Sequence, residues 1–146
     1  VIIDLGCGDG KALQDLSKLT KGKAKLIGIA AAYPKNWKKH PEIEYRVVPY
    51  HKLKEKLPHK YADLVYSYYG IWPGEMRETL YNVHAILKPG GMFVFNLHFQ
   101  RFQQHEREIK ELFNIKYFSR DEADIVTVHL QKPKRERFKN TLKGFY

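Results

Sequence analysis

The chain has 146 residues, 43% of them hydrophobic and 14% aromatic, which suits one domain with a packed core and excludes a disordered segment. It carries 26 Lys and Arg against 16 Asp and Glu, a net charge of +10, and one cysteine, Cys7. One cysteine cannot form an internal disulfide, no apolar run nears the ~18–20 residues that span a bilayer, and no secretory leader is visible. A cytoplasmic protein is therefore expected, with the nucleus left open.

The elements alternate along the chain. Residues 1–5 form a short apolar run ended by glycines, the mark of a buried strand. The sequence thus opens inside a strand, so a trimmed or partial chain is expected. Residues 11–19 set Ala12, Leu13, Leu16 and Leu19 at helical spacing. Leu26, Ile27 and Ile29 give a second strand over 25–32. Residues 33–40 are polar and hold Pro34, so a short helix or loop follows. A third strand over 43–48 sits between Pro41 and Pro49, and 52–57 suit a helical turn or two.

Residues 62–69, "ADLVYSYY", predict a fourth strand. The best helix spans 73–87, opened by Pro73, with Met76, Leu80, Val83, Ile86 and Leu87 on one stripe. "KPGG" at 88–91 stops it. A fifth strand over 91–99 and a charged helix over 101–113 follow. Runs at 115–118 and 125–130 flank the turn "RDEAD" and predict a closing hairpin. Strand–helix alternation implies βαβ units, a mostly parallel sheet and helices on both faces. Ligands in such sheets bind at the carboxyl ends of the strands, near the switch point.

That rule points to the loop after the first strand. Gly6, Gly8 and Gly10 spell Gly-x-Gly-x-Gly. A dinucleotide fingerprint wants its third glycine one place later, where Lys11 stands, and a P-loop wants a hydroxyl after Gly-Lys, where Ala12 stands. Asp4 and Asp9 disfavour phosphate and suit a ligand bearing an amine.

"VIIDLGCGDG" resembles the first motif of class I S-adenosylmethionine-dependent methyltransferases. "ADLVYSYYGIW" is similar to that family's fourth strand, and "AILKPGGMFVFNL" to its junction of helix and fifth strand. The likeness runs in order over nearly all of residues 1–132. It implies a doubly wound α/β fold with a mostly parallel seven-stranded sheet and a closing antiparallel hairpin strand. The domain would span 1–132, truncated at its N-terminus, with a basic tail over 133–146.

S-adenosylmethionine is the implied cofactor. The resemblance sets Asp4, Gly6, Cys7, Gly8 and Gly10 at its amino-acid end, Ala30 and Ala31 at the ribose, Tyr50 or His51 at the adenine, and Ser67 at the end of the fourth strand. Asp4 would accept hydrogen bonds from the turn or, through water, from the cofactor's amine; a purely structural role is the alternative. The family usually carries acids at positions matching 30 and 50, and both are absent. A charge-assisted hydrogen bond contributes roughly 1.5–3 kcal/mol, so one loss weakens binding about ten- to hundredfold. Backbone groups, or stacking by Tyr33 or Tyr50, would have to substitute.

The acceptor would approach at residues 67–72. Tyr68, Tyr69 and Trp72 suit stacking on a base or surrounding a cation, and His98 suits a base; packing aromatics and a strand-end histidine are the plain alternatives. The Asn/Asp-Pro-Pro-Tyr/Phe motif of base N-methyltransferases is missing. The histidines lack metal-ligand spacing, so no metal is expected. The charge is concentrated: residues 21–60 hold eleven Lys/Arg and three acids, and residues 131–146 hold six and one. A basic surface of this kind suits RNA, while a solvated face is the bland reading. Two functions follow: methyl transfer to an unidentified acceptor, with RNA a candidate, or a methyltransferase-like module without turnover that binds RNA or a protein.

Overall fold

The computed structural model describes residues 1–30, 42–71 and 73–135. The apolar runs form one seven-stranded sheet. Its strands are β1 (Ile2–Leu5), β2 (Leu26–Ala30), β3 (Ile43–Val47), β4 (Ala62–Ser67), β5 (Leu87–His98), β6 (Asn114–Arg120) and β7 (Ile125–Gln131). The helices are α1 (Lys11–Thr20), α2 (Leu53–Lys56), α3 (Met76–Ile86) and α4 (Phe99–Leu112), with 3-10 turns at Tyr50–Lys52 and Pro73–Glu75. The sheet order is β3-β2-β1-β4-β5-β7-β6. Neighbours from β3 to β5 are parallel, and β7 runs antiparallel between β5 and β6. The expected α/β class, with its parallel sheet and closing hairpin, is what forms.

The two-residue period of the strands divides the core. Ile3, Leu5, Ile27, Ile29, Val65 and Phe93 face the layer of α3 and α4, where Leu80, Val83, Phe102 and Ile109 cover them. Leu26, Ala30 and Tyr66 face the other way, toward Leu13 of α1 and Cys7. No helix among the described residues is long and apolar enough to cross a membrane.

The helix expected from Pro73 begins at Met76, after a 3-10 turn, and β6 is longer than the expected 115–118. Three further departures have a clear cause. "KPGG" belongs to β5 rather than to a helix stop. Lys88 precedes a proline and is driven out of the helical region, so the chain is extended from Leu87 and pairs at once with Ala62. The last carbonyls of α3 are then satisfied by Lys132, whose Nζ donates to His84 O at 2.7 Å and Leu87 O at 3.0 Å. The helix α4 starts at Phe99, earlier than expected, because His98 caps it: Nδ1 accepts from the Gln100 N–H at 3.4 Å.

The third departure shapes the site. The strand β4 ends at Ser67 instead of Tyr69, because Tyr69 takes a left-handed φ of 54°. Three contacts hold this turn. Ser67 Oγ donates to Leu5 O at 2.8 Å, the Tyr69 N–H donates to Asn96 Oδ1 at 2.7 Å, and Gly70 lies against Gly6. A Cβ on Gly70 would stand 2.5 Å from Leu5 O and from Ser67 Oγ, and 3.2 Å from Gly6 Cα.

The segment after β4 is thereby seated on the turn after β1. Backbone must move to admit any side chain there. Gly70→Ala is expected to destabilise the fold by about 1–3 kcal/mol, read as a lower urea midpoint with unchanged slope.

Candidate cofactor site

Sheet order reverses between β1 and β4, so the carboxyl ends of these strands mark the switch point, where a ligand crevice is expected. The glycine turn forms one lip. The Gly6 and Cys7 N–H groups both donate to Ile29 O, at 2.8 and 3.2 Å, which folds the turn onto the end of β2. The Asp9 carboxylate accepts from the Lys11 N–H at 3.1 Å and opens α1, a role the sequence reading did not give it.

The three glycines are not equivalent. A Cβ on Gly6 would lie 2.8 Å from Gly70 Cα and 3.0 Å from the Tyr50 hydroxyl. A Cβ on Gly10 would overlap the Tyr45 hydroxyl. The protein's own packing accounts for both. Gly8 has φ +55°, and a Cβ there meets no described atom within 4 Å. The space beside Gly8 is open.

Asp4 sits beneath the turn, only 4% exposed, level with Gly28 on β2 and Tyr66 on β4. Burial pushes its carboxyl up from an ordinary 3.8 to about 6, and the Tyr66 hydroxyl partly offsets the rise. The Tyr66 and Tyr50 hydroxyls are held well above the ordinary phenol range, by burial first and by the Asp4 charge second. Both stay protonated and able to donate. The Tyr66 hydroxyl is fully buried and closes no hydrogen bond, although it lies near enough to Asp4 to bear on its ionisation.

The other candidates divide. Cys7 is buried against Leu13 and Gly28, a packing role. Ala30 closes β2, buried, where its carbonyl accepts from the Val48 N–H at 3.0 Å. Its methyl offers a ribose no hydrogen bond. Tyr50 reaches the underside of the turn, while His51 is exposed and lines a surface cleft with Lys54, Arg77 and Tyr81. The Ser67 hydroxyl is buried and donates to Leu5 O. Tyr68 and Tyr69 are exposed at the other lip, 60% and 74%. The His98 Nδ1 is engaged as a helix cap. Ala31, Tyr33 and Trp72 lie outside the described residues, as does the tail from residue 136.

Four residues of the site were missed in the sequence. Gly70 was visible as a glycine in "YYGIW", but only its partner explains it. Asn96, Tyr45 and Tyr66 enter through strand register, which no local pattern encodes.

The amino-acid end of S-adenosylmethionine fits this arrangement: an opening over Gly8, and a buried carboxyl and phenol below. The ribose end lacks its usual acid. The human protein named "Arginine-hydroxylase NDUFAF5, mitochondrial" is 38% identical over 95 residues, 63% of this chain and 27% of its own length. The chain thus spans about a quarter of that relative. An Aquifex aeolicus S-adenosylmethionine-dependent methyltransferase superposes with TM-score 0.73 at 15% identity, covering 90% of this chain and 81% of its own. A Burkholderia thailandensis 1,6-didemethyltoxoflavin N1-methyltransferase, solved with S-adenosylhomocysteine, gives 0.63 at 13% identity, covering 90% and 70%. Both share the fold. The methyltransferase-domain family matches residues 2–91, from β1 through the start of β5, and the chain belongs to that family.

Proposed function

We propose that the chain is the cofactor-binding domain of an S-adenosylmethionine-dependent methyltransferase. The observation that carries this reading is Gly8, the one glycine of the turn whose missing side chain the described protein does not fill. Asp4 supports it as a buried carboxyl suited to a ligand's ammonium. The cofactor, when bound, supplies a methyl group activated by positive sulfur, so positioning matters more than acid–base help. In this reading the glycine turn holds the amino-acid end. Tyr68 and Tyr69 line the side from which an acceptor would approach.

Two acceptor classes have support. The net charge of +10 favours RNA. The relative named as an arginine hydroxylase favours an arginine side chain of a protein. That name is not a methyltransferase's, so family membership alone leaves the reaction to the site. The second reading, a module without turnover, rests on Ala30 standing where the family's ribose-binding acid would be. Transfer of labelled methyl from S-adenosylmethionine to total RNA, to protein, or to neither separates these readings.

Titration with S-adenosylhomocysteine tests the cofactor site directly. Micromolar binding is expected, lost in Gly8→Arg and strengthened about tenfold or more in Ala30→Asp. No heat up to millimolar ligand in either the natural chain or Ala30→Asp overturns the proposal.

Asp4 predicts a conflict between stability and binding. Its folded-state pKa is raised, so between about pH 4 and 6 the folded state holds more protons than the unfolded one, and stability falls as pH rises. Asp4→Asn is expected to be more stable at pH 7.5 by up to about 3 kcal/mol, the equivalent of two pKa units. The advantage should vanish below about pH 4, while affinity for S-adenosylhomocysteine falls about tenfold or more. Urea unfolding at several pH values reads the first effect, and calorimetry reads the second.

A further inference from the structure

The Tyr66 phenol is an unusual group for the middle of a sheet. It is 7% exposed, its hydroxyl is fully buried, and no partner meets ordinary hydrogen-bond geometry, although the hydroxyl lies near enough to Asp4 to favour its ionised form. Buried polar atoms are almost always partnered, so each exception needs a reason. Register supplies one: Tyr66 stands directly beside Asp4 across the parallel pair of β4 and β1, on the same face of the sheet.

The groups around Asp4 are all neutral or acidic. Tyr66 faces it from β4, Tyr50 from the 3-10 turn after β3, and Cys7 and Asp4 both bear on Tyr50 and Tyr66 from the glycine turn and β1. Tyr68 flanks Tyr66, with ring centroids 6.4 Å apart, and Glu75 faces Tyr50. Among the described residues no Lys, Arg or His contributes to the ionisation of Asp4. The niche therefore holds an acceptor and a loosely engaged donor but no cation.

We propose that Tyr66 is a positioning residue of the cofactor site: its hydroxyl favours the ionised Asp4 carboxylate already in the free protein, closes fully on it when a ligand's ammonium group enters the crevice, and keeps that carboxylate aimed at the cation. This rests on the cofactor reading given above. It adds a residue that the glycine motif does not contain. It also makes ligand binding depend on pH through a pair of neighbouring strands. Loss of the hydroxyl leaves the ring packing intact and removes only the donor.

The test compares the natural chain with Tyr66→Phe. The Asp4 carboxyl is followed by carbon-13 NMR from pH 4 to 8.5 and assigned with Asp4→Asn. Removing the donor is expected to move the Asp4 midpoint up by about half a unit to one unit. Calorimetry with S-adenosylhomocysteine should then show an affinity about threefold or more lower at pH 5.5, and within about twofold at pH 8.5. A packing role alone would move neither midpoint nor pH profile, so superimposable curves overturn the inference. If Tyr66→Phe does not fold, the Tyr66 Cζ resonance of the natural chain decides: a shift on adding S-adenosylhomocysteine supports the contact, and none overturns it. A natural chain that binds no S-adenosylhomocysteine at any pH overturns the cofactor reading and the ligand half of this inference. The NMR titration still reports separately whether Tyr66 tunes Asp4.

Discussion

The site depends on one contact between two backbones. Gly6 follows β1, Gly70 follows β4, and neither has room for a methyl group. Their approach sets the width of the crevice at the switch point. It also fixes the segment bearing Tyr68 and Tyr69 relative to the glycine turn. The Ser67 and Asn96 hydrogen bonds hold the same segment from below and from β5. A left-handed Tyr69 is tolerable only because these bonds over-determine it. The turn after β1 and the turn after β4 are thus tied to each other by direct contact.

Much of the architecture was legible in the residues. Short apolar runs and amphipathic stretches alternate because the inner strands β1 and β2 are buried on both faces, and that pattern announces a parallel sheet before any coordinate is known. The boundaries were less legible where a single residue overrides periodicity. Tyr69 continues the aromatic run of β4 but turns out of it. The Pro89 ring converts an expected helix stop into the start of β5. In the site, "DLGCGDG" identified the turn, yet could not say which glycine faces outward. That distinction belongs to Tyr45, Tyr50 and Gly70, which arrive from three other elements. The exposure of His51 and the capping role of His98 were likewise invisible, since both depend on which way a chain end is directed.

The polar groups beneath the turn work against the stability of the fold. A buried carboxyl and a loosely partnered phenol are costs that an apolar pair of the same shape would avoid. Such exceptions cluster where a protein must bind something, and here they lie in one row of the sheet, beside Gly28. Position 30 shows the opposite economy: an apolar Ala30 closes β2 there, where an acid is expected.

The strand β1 comes first in the sequence but lies in the middle of the sheet, between β2 and β4. Its turn is therefore unfinished when it emerges during synthesis. Gly6 has no backstop until the chain has been extended through Gly70, and Asp4 has no neighbour on that side until Tyr66 arrives. Long-range parallel pairing of this kind is slow to form, because loop closure precedes any reward. The turn must wait until the chain through Gly70 has emerged before a crevice can exist. A ligand that recognises the finished crevice would then favour the assembled sheet over its partly built forms, and so act on folding as well as on function.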